Sequence, residues 1–363
     1  MKITDVRVHL LAVPAREVYD PSAAVAGVFH QILVEIRTDE GVTGYGESFA
    51  LRGTPHATIA VIKDVLKPML LGADPGKISS LMEQMYRQTH LFGRYGITTF
   101  AISGVDIALW DIAGKCAGLP LYRLLGGTKD SKIPAYASLI RYNDREKIKA
   151  AALHAKGAGY DLIKLHQVDV ESLKAAREAV GAGVKLTMDI NCAWSPEKAL
   201  EMARKMAPYD LFWLEEPIWP PEDFPGLARL GRESGVPIAC GENACTAYQF
   251  KALLDAGAAA YVQPSAIKVG GVSEWRKVAV LAEAFNVRVA AHSPYFGPGL
   301  LATAHLIAAS PSADWLEYYY VALEASVIKD PPRVKDGFFP LPEGPGLGLE
   351  IDPAVLQAYG VPS

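Results

Sequence analysis

Asp189, Glu215 and Glu242 each close a short apolar run: Lys185-Leu-Thr-Met-Asp189, Leu211-Phe-Trp-Leu-Glu215 and Pro237-Ile-Ala-Cys-Gly-Glu242. They stand 26 and 27 residues apart, close to the roughly 30 residues of a strand–helix–strand unit. That spacing puts three carboxylates at the same end of three neighbouring parallel strands. Three uncompensated anions so close would repel and perturb one another's ionisation. A hard divalent cation removes the conflict, and an all-oxygen donor set suits Mg²⁺. Independent surface acids would have no reason to repeat at the strand period.

The period continues in both directions. Lys164 and His166 lie in Asp161-Leu-Ile-Lys-Leu-His166, and Ser265 follows Ala260-Tyr-Val-Gln-Pro264. His292 ends Arg288-Val-Ala-Ala-His292, and Glu317 ends Asp314-Trp-Leu-Glu317. With Lys132–Leu139 these make eight apolar runs. Helix-like stretches at 144–157, 171–181, 196–207, 222–234, 246–256, 273–285 and 298–309 separate them. Eight strands alternating with helices predict an α/β fold of the (β/α)₈ barrel type, with its chemistry at the C-terminal strand ends. Every polar residue just named falls at such an end.

Composition sets bounds. The 363 residues exceed a barrel of about 250 and leave room for a second unit. Half of them are hydrophobic, enough for a large core, and the net charge is −4 without a long basic run. Neither nucleic acid nor an anionic membrane surface is an expected partner. We find no long uninterrupted apolar stretch, and Met1-Lys-Ile-Thr-Asp5 reads as the start of a strand rather than a signal peptide. A cytoplasmic location is expected. Cys116, Cys192, Cys240 and Cys245 form no Cys-x-x-Cys pair and are expected to be free thiols, with Cys192 a packing residue.

The chain before residue 126 is organised differently. Residues 2–13 and 30–37 read as strands, Thr38-Asp-Glu-Gly41 as a turn, and Val42–Phe49 as a returning strand. Helices are expected near 55–70, 78–92 and 97–116. We therefore divide the chain into an N-terminal α+β capping domain over 1–125 and a barrel over 126–325. A Pro- and Gly-rich C-terminal segment, 326–363, is expected to pack back on the cap and complete it. The stretches 18–30 and 51–54 are expected to be loops over the barrel mouth.

The phrases Met188-Asp-Ile-Asn191, Trp213-Leu-Glu-Glu-Pro217, Gly241-Glu-Asn243, Ile267-Lys-Val-Gly-Gly271 and Trp315-Leu-Glu317, in this order and spacing, resemble the enolase superfamily. The resemblance is to its mandelate racemase and muconate lactonizing enzyme branch, and it covers essentially the whole chain. That superfamily pairs a Lys or His base with Mg²⁺ that stabilises an enediolate.

The resemblance implies roles. Asp189, Glu215 and Glu242 match the Mg²⁺ ligands, and Mn²⁺ is an expected substitute. Lys164 and His166 stand where the branch usually has Lys-x-Lys. His292 matches the seventh-strand histidine, and Glu317 the eighth-strand acid that meets a substrate carboxylate. Asn191 and Asn243 occupy positions that line the substrate or support the metal. Tyr19, His30, Arg52, Arg94, Tyr95, Trp194, Trp219, Tyr295 and Phe296 are candidate selectors, a set aromatic enough to suit a ring or an apolar group. Lys268 is read as structural. Homo-oligomers are common in the family.

Two departures matter. The branch usually has Asp at the sixth-strand position, beside the seventh-strand histidine; here it is Ser265, a candidate substrate contact. A neutral serine lacks the charge with which an aspartate favours an imidazolium, so His292 is expected to serve as an acid. Lys-x-Lys has become Lys164-Leu-His166, which offers an imidazole base. The reading is Mg²⁺-dependent abstraction of the proton α to a carboxylate, leading to sugar-acid dehydration. Racemisation, epimerisation or cycloisomerisation of a carboxylic acid is the alternative. A barrel that binds a small carboxylate without turning it over is the alternative from another class.

Overall fold

The computed structural model describes residues 1–51, 54–127 and 131–362. Alternation drives the N-terminal sheet. β1 (Ile3–Glu17) and β2 (Ala24–Thr38) form a long antiparallel hairpin, and β3 (Thr43–Ser48) returns along β2. Successive side chains point to opposite faces of a strand. Val6, Val8 and Leu10 therefore pack with the cap helices, whereas Leu11 and Val13 join the barrel-side core. The hairpin runs further than expected. Residues 24–29, read from sequence as a loop, are strand, because Val25, Val28 and Phe29 pair with Ala15, Pro14 and Val13. Two strands from the far end of the chain, β12 (Val321–Leu323) and β14 (Gly360–Val361), also pair with β1.

The helix Ile97–Ala117 is long and apolar enough to cross a membrane, but 78% of its apolar window is buried inside the protein. It packs on β3 through glycines. A Cβ at Gly46 would lie 2.0 Å from the Gly104 carbonyl oxygen, and one at Gly44 would lie 2.2 Å from that of Ala108. Only glycine permits so close an approach. Its two buried acids reach other units. Asp106 accepts hydrogen bonds from the Ser273 amide and hydroxyl at 2.9 and 2.6 Å. Asp111 accepts from the amides of Tyr45 and Leu347 at 2.9 and 2.8 Å.

The barrel strands follow in order: β4 (Lys132–Ser138), β5 (Leu162–Leu165), β6 (Lys185–Asp189), β7 (Leu211–Glu215), β8 (Ile238–Cys240), β9 (Tyr261–Val262), β10 (Arg288–Ala291) and β11 (Ala313–Tyr319). All neighbours are parallel, and β11 closes on β4. β13 (Phe338–Pro340) adds antiparallel to β4. Intervening helices start where a side chain can cap them: Asp144, Asp169, Ser195 and Asp223 each accept an amide of the first turn. Beneath the strand-end acids the barrel is filled. Tyr136, Leu162, Trp213, Ala239 and Ala290 form a packed cluster joined by Phe212, Tyr261 and Trp315. The Trp213 indole donates to Glu215 Oε2 at 3.0 Å, so this floor touches the acid layer above it.

His305 ties three segments together. Its Nδ1 accepts the Tyr122 amide at 3.3 Å, its Nε2 faces the Leu347 carbonyl at 3.3 Å, and its ring stacks on Tyr122. Burial lowers its pKa from 6.5 to about 4. A base whose folded pKa is depressed gives stability above the unfolded pKa and loses it as pH falls through the folded one. Unfolding free energy should therefore drop on the order of 3 kcal/mol between these two values, at about 1.4 kcal/mol per pKa unit. Urea titrations at pH 7 and pH 4 should show this component shrink in His305→Gln; an equal drop in both proteins would assign the acid sensitivity elsewhere.

Candidate active site

Asp189 ends β6 and Glu215 ends β7, opposite each other in register; Glu242 lies just beyond β8. One oxygen from each lies within 4.8 Å of the others. Asp189 Oδ1 accepts the Asn191 amide at 2.9 Å, whereas Oδ2 is buried without a hydrogen bond. Lys164 Nζ stands 3.5 Å from that oxygen and His166 Nε2 3.3 Å from it.

Lys164, the penultimate residue of β5, is fully buried. Its ammonium meets Glu215 Oε1 at 2.8 Å and Glu317 Oε1 at 2.6 Å. Burial alone would depress it, but Glu215 and Glu317 outweigh that and hold its pKa well above the lysine range. One ammonium cannot balance the acids around it. Burial, with repulsion from Asp189 and Glu317, pushes Glu215 well above the usual carboxylate range despite Lys164. Burial also opposes ionisation of Asp189 and Glu317, yet Lys164 keeps both low. Glu242 is held well below its usual range against burial by His292 and Lys268. Buried anions in excess, an orphaned carboxylate oxygen and an oxygen-only donor set fit a hard divalent cation at Asp189, Glu215 and Glu242.

Two imidazoles flank this centre. His166 Nδ1 faces the Leu139 carbonyl, an acceptor, so Nδ1 donates there, and in the neutral ring Nε2 is the nitrogen with the lone pair. His292 places Nε2 2.9 Å from Glu242 Oε2, while its Nδ1 is buried without a partner. Both histidines open into one cavity of about 410 Å³. Its walls include His30, Gln31 and Glu47 of the cap, with Asn191, Glu242, Tyr295, Phe296 and Tyr319 of the barrel. At the end of β11, Glu317 accepts the Ser138 hydroxyl at 2.7 Å and the Ser293 amide at 2.9 Å.

The sequence-predicted residues thus divide. Lys164, His166, Asp189, Glu215, Glu242, His292 and Glu317 converge, and Asn191, His30 and Tyr295 line the same cavity. Ser265 does not line it. Its hydroxyl pairs with Tyr295 Oη at 2.7 Å, and that phenol also donates to the His292 carbonyl, so Ser265 acts on His292 through backbone support. Asn243 is likewise turned away, its amide held by the Glu216 carboxylate. Tyr19 packs edge-on against Tyr142 and is not among the residues lining the cavity. Arg52 lies outside the described residues. Arg94 lines a separate surface hollow, and Trp219 is exposed. Cys192 donates to Glu216 at 3.3 Å, and burial pushes its thiol upward, consistent with packing.

Sequence reasoning missed several neighbours. Lys268, set aside as structural, places its ammonium 3.7 Å from Glu242 and over the Phe49 ring. Its signal was a lysine within an apolar run beside two glycines. Arg141 bridges the His166 carbonyl and Asn191 Oδ1, both at 3.0 Å. Glu47, one residue before the end of β3, is buried and accepts the Gly299 amide at 2.8 Å; burial raises it to about 7.

Comparison with known proteins agrees with this fold. Residues 10–126 match the mandelate racemase / muconate lactonizing enzyme N-terminal domain, and 147–355 match the enolase C-terminal domain-like family. The chain belongs to the mandelate racemase / muconate lactonizing enzyme family of the enolase superfamily. Among relatives, an arabinonate dehydratase of Saccharolobus solfataricus is 35% identical, covering 98% of this chain and 99% of its own. A 3,6-anhydro-alpha-L-galactonate cycloisomerase of Streptomyces coelicolor is 36% identical over 89% of this chain and 90% of its own. A racemase crystal structure from Streptomyces coelicolor A3(2) with bound magnesium superposes with a TM-score of 0.88. It is 34% identical and covers 99% of this chain and all of its own.

Proposed function

We propose that this protein is a Mg²⁺-dependent sugar-acid dehydratase that removes the proton α to the substrate carboxylate through an enediolate. The observation that carries the reading is the pair of unlike imidazoles opening into one cavity on two sides of the acid trio. Asp189, Glu215 and Glu242 would hold the cation, with Mn²⁺ acceptable to the same oxygen donors. When bound, Mg²⁺ supplies positive charge against the anion that develops on the substrate carboxylate.

The chain's own groups do the rest. Lys164 remains an ammonium among its carboxylates and contributes fixed positive charge rather than a base. His166, with its lone pair fixed on Nε2, accepts the α-proton. His292 returns a proton to the departing β-hydroxyl. A racemase would need two matched bases, whereas these imidazoles differ at Nδ1: one is bonded to a carbonyl, the other has no partner. The relatedness to a cycloisomerase at 36% identity supports a second reading, in which the leaving oxygen belongs to a ring.

Product mass separates the two. A screen of aldonic acids and their lactones and anhydro forms, run with Mg²⁺, should yield a keto acid lighter by one water. A product isomeric with its substrate would favour cycloisomerisation. Binding of acids with no conversion of any would favour the carboxylate-binding barrel. A homo-oligomer, checked by light scattering, accompanies this reading.

A further inference from the structure

One side of the cavity is a wall of rings. Phe29 and Phe296 meet edge to face with centroids 5.6 Å apart. Tyr319 lies 5.9 Å from Phe29 and 6.2 Å from Phe296. The three come from different elements: β2 of the cap, the loop after β10, and the end of β11. All three line the cavity that holds both imidazoles, and Tyr319 also packs edge-on against His166 at 6.4 Å. The wall therefore stands next to the reacting end of the substrate, and the cap completes it.

Among the described residues, the hydrogen-bonding side chains that the cap brings to the cavity are His30, Gln31 and Glu47. Gln31 lines the cavity at 4% exposure, and its Oε1 is buried without a partner. Glu47 lines it too, with one oxygen already taken by the Gly299 amide. With His30, these groups can satisfy a small number of substrate hydroxyls. An open-chain acid hydroxylated at every carbon would press further hydroxyls against ring faces, where they would lose water and find no partner. A C–H face loses nothing there, and aromatic rings reward its burial.

We infer that the substrate is a hydroxy acid whose far portion presents an apolar C–H face, from a cyclic ether or from a deoxy carbon, and that Phe29, Phe296 and Tyr319 select it. This rests on the dehydratase reading for the chemistry at the carboxylate end and adds the class of molecule that the far end accepts.

The test uses the Mg²⁺-loaded enzyme and three acids matched in configuration near the carboxylate: a fully hydroxylated hexonate, its 6-deoxy counterpart and an anhydro counterpart closed by a ring ether. The deoxy or the anhydro acid should exceed the parent hexonate in kcat/KM by about 10-fold or more, the scale on which one methylene is discriminated in an apolar pocket. Which of the two leads separates a deoxy carbon from a ring. Phe296→Ala should erase the preference, and Phe296→Leu, which keeps an apolar wall, should restore most of it at an unchanged melting temperature. The inference is overturned if the parent acid is used as well as both partners, or if Phe296→Ala melts like wild type and keeps the preference. Exchange of the parent acid's α-proton in that case leaves the dehydratase reading standing. Absence of exchange with every acid removes that reading and this one together.

Discussion

Replacing His166 with asparagine should abolish both turnover and α-proton exchange, whereas His292→Asn should abolish turnover and leave exchange intact. Each loss should reach at least about 10²-fold, the lower end of what a general acid or base contributes. The asymmetry follows from position. His166 has Nδ1 committed to the Leu139 carbonyl and Nε2 turned toward the Asp189 side of the acid trio. His292 approaches from Glu242, on the other side. Asparagine keeps a polar group of similar size but takes up no proton. In deuterated water, NMR of recovered substrate reports the first step, and product formation reports the whole reaction. If His292→Asn loses exchange and His166→Asn keeps it, the two roles are exchanged. Loss of exchange with only one α-carbon configuration in each variant, opposite between the two, would instead indicate two bases, as racemisation requires.

Removing the cation should cost as much. Chelation should abolish activity, and Mg²⁺ should restore it. A second readout does not depend on turnover. Binding of the cation to the folded state should raise its stability by about 2.7 kcal/mol at 100 times Kd. The reason is local: Asp189 Oδ2 is buried without a hydrogen bond, and the acids outnumber the one ammonium among them. Glu215→Gln should weaken Mg²⁺ binding, because it removes both a charge and an anionic donor. It should cost the cation-free protein little, since Glu215 is the one member of the trio that burial and its neighbours push above the carboxylate range, toward the neutral form that glutamine resembles. The variant should thus melt close to wild type without Mg²⁺ and gain less on adding it. An equal Mg²⁺-dependent gain in both proteins would place the cation away from Glu215.

What could be read ahead of the structure follows from how each feature is encoded. The barrel was readable because its strands are apolar runs at a fixed period, and a parallel strand buried on both sides leaves that mark. Asp189, Glu215, His292 and Glu317 were readable because each ends such a run, so the fold alone fixes their neighbourhood. The cap side of the cavity was legible only in part: His30 was a candidate, but Gln31 and Glu47 were not. Phe29 and Gln31 lie on β2, where alternation continues past the region that looked like a loop. Glu47 becomes part of the site only because β3 docks on the Gly297–Gly299 turn. Ser265 shows the limit of a positional match. It stands beside His292 in the backbone, but a tyrosine thirty residues on takes its hydroxyl. Tyr19 and Asn243 likewise have partners inside the protein that no spacing announces.

The central claim is abstraction of a carbon acid's α-proton at this centre. Its most direct test is wild-type protein with Mg²⁺ in deuterated water, offered a panel of aldonic, deoxyaldonic and anhydroaldonic acids and analysed by NMR and mass spectrometry. The account predicts at least one acid that loses its α-proton and yields a product lighter by one water, with both changes stopped by chelation. Recovery of every acid with its α-proton in place, from a protein shown to bind Mg²⁺, would contradict it.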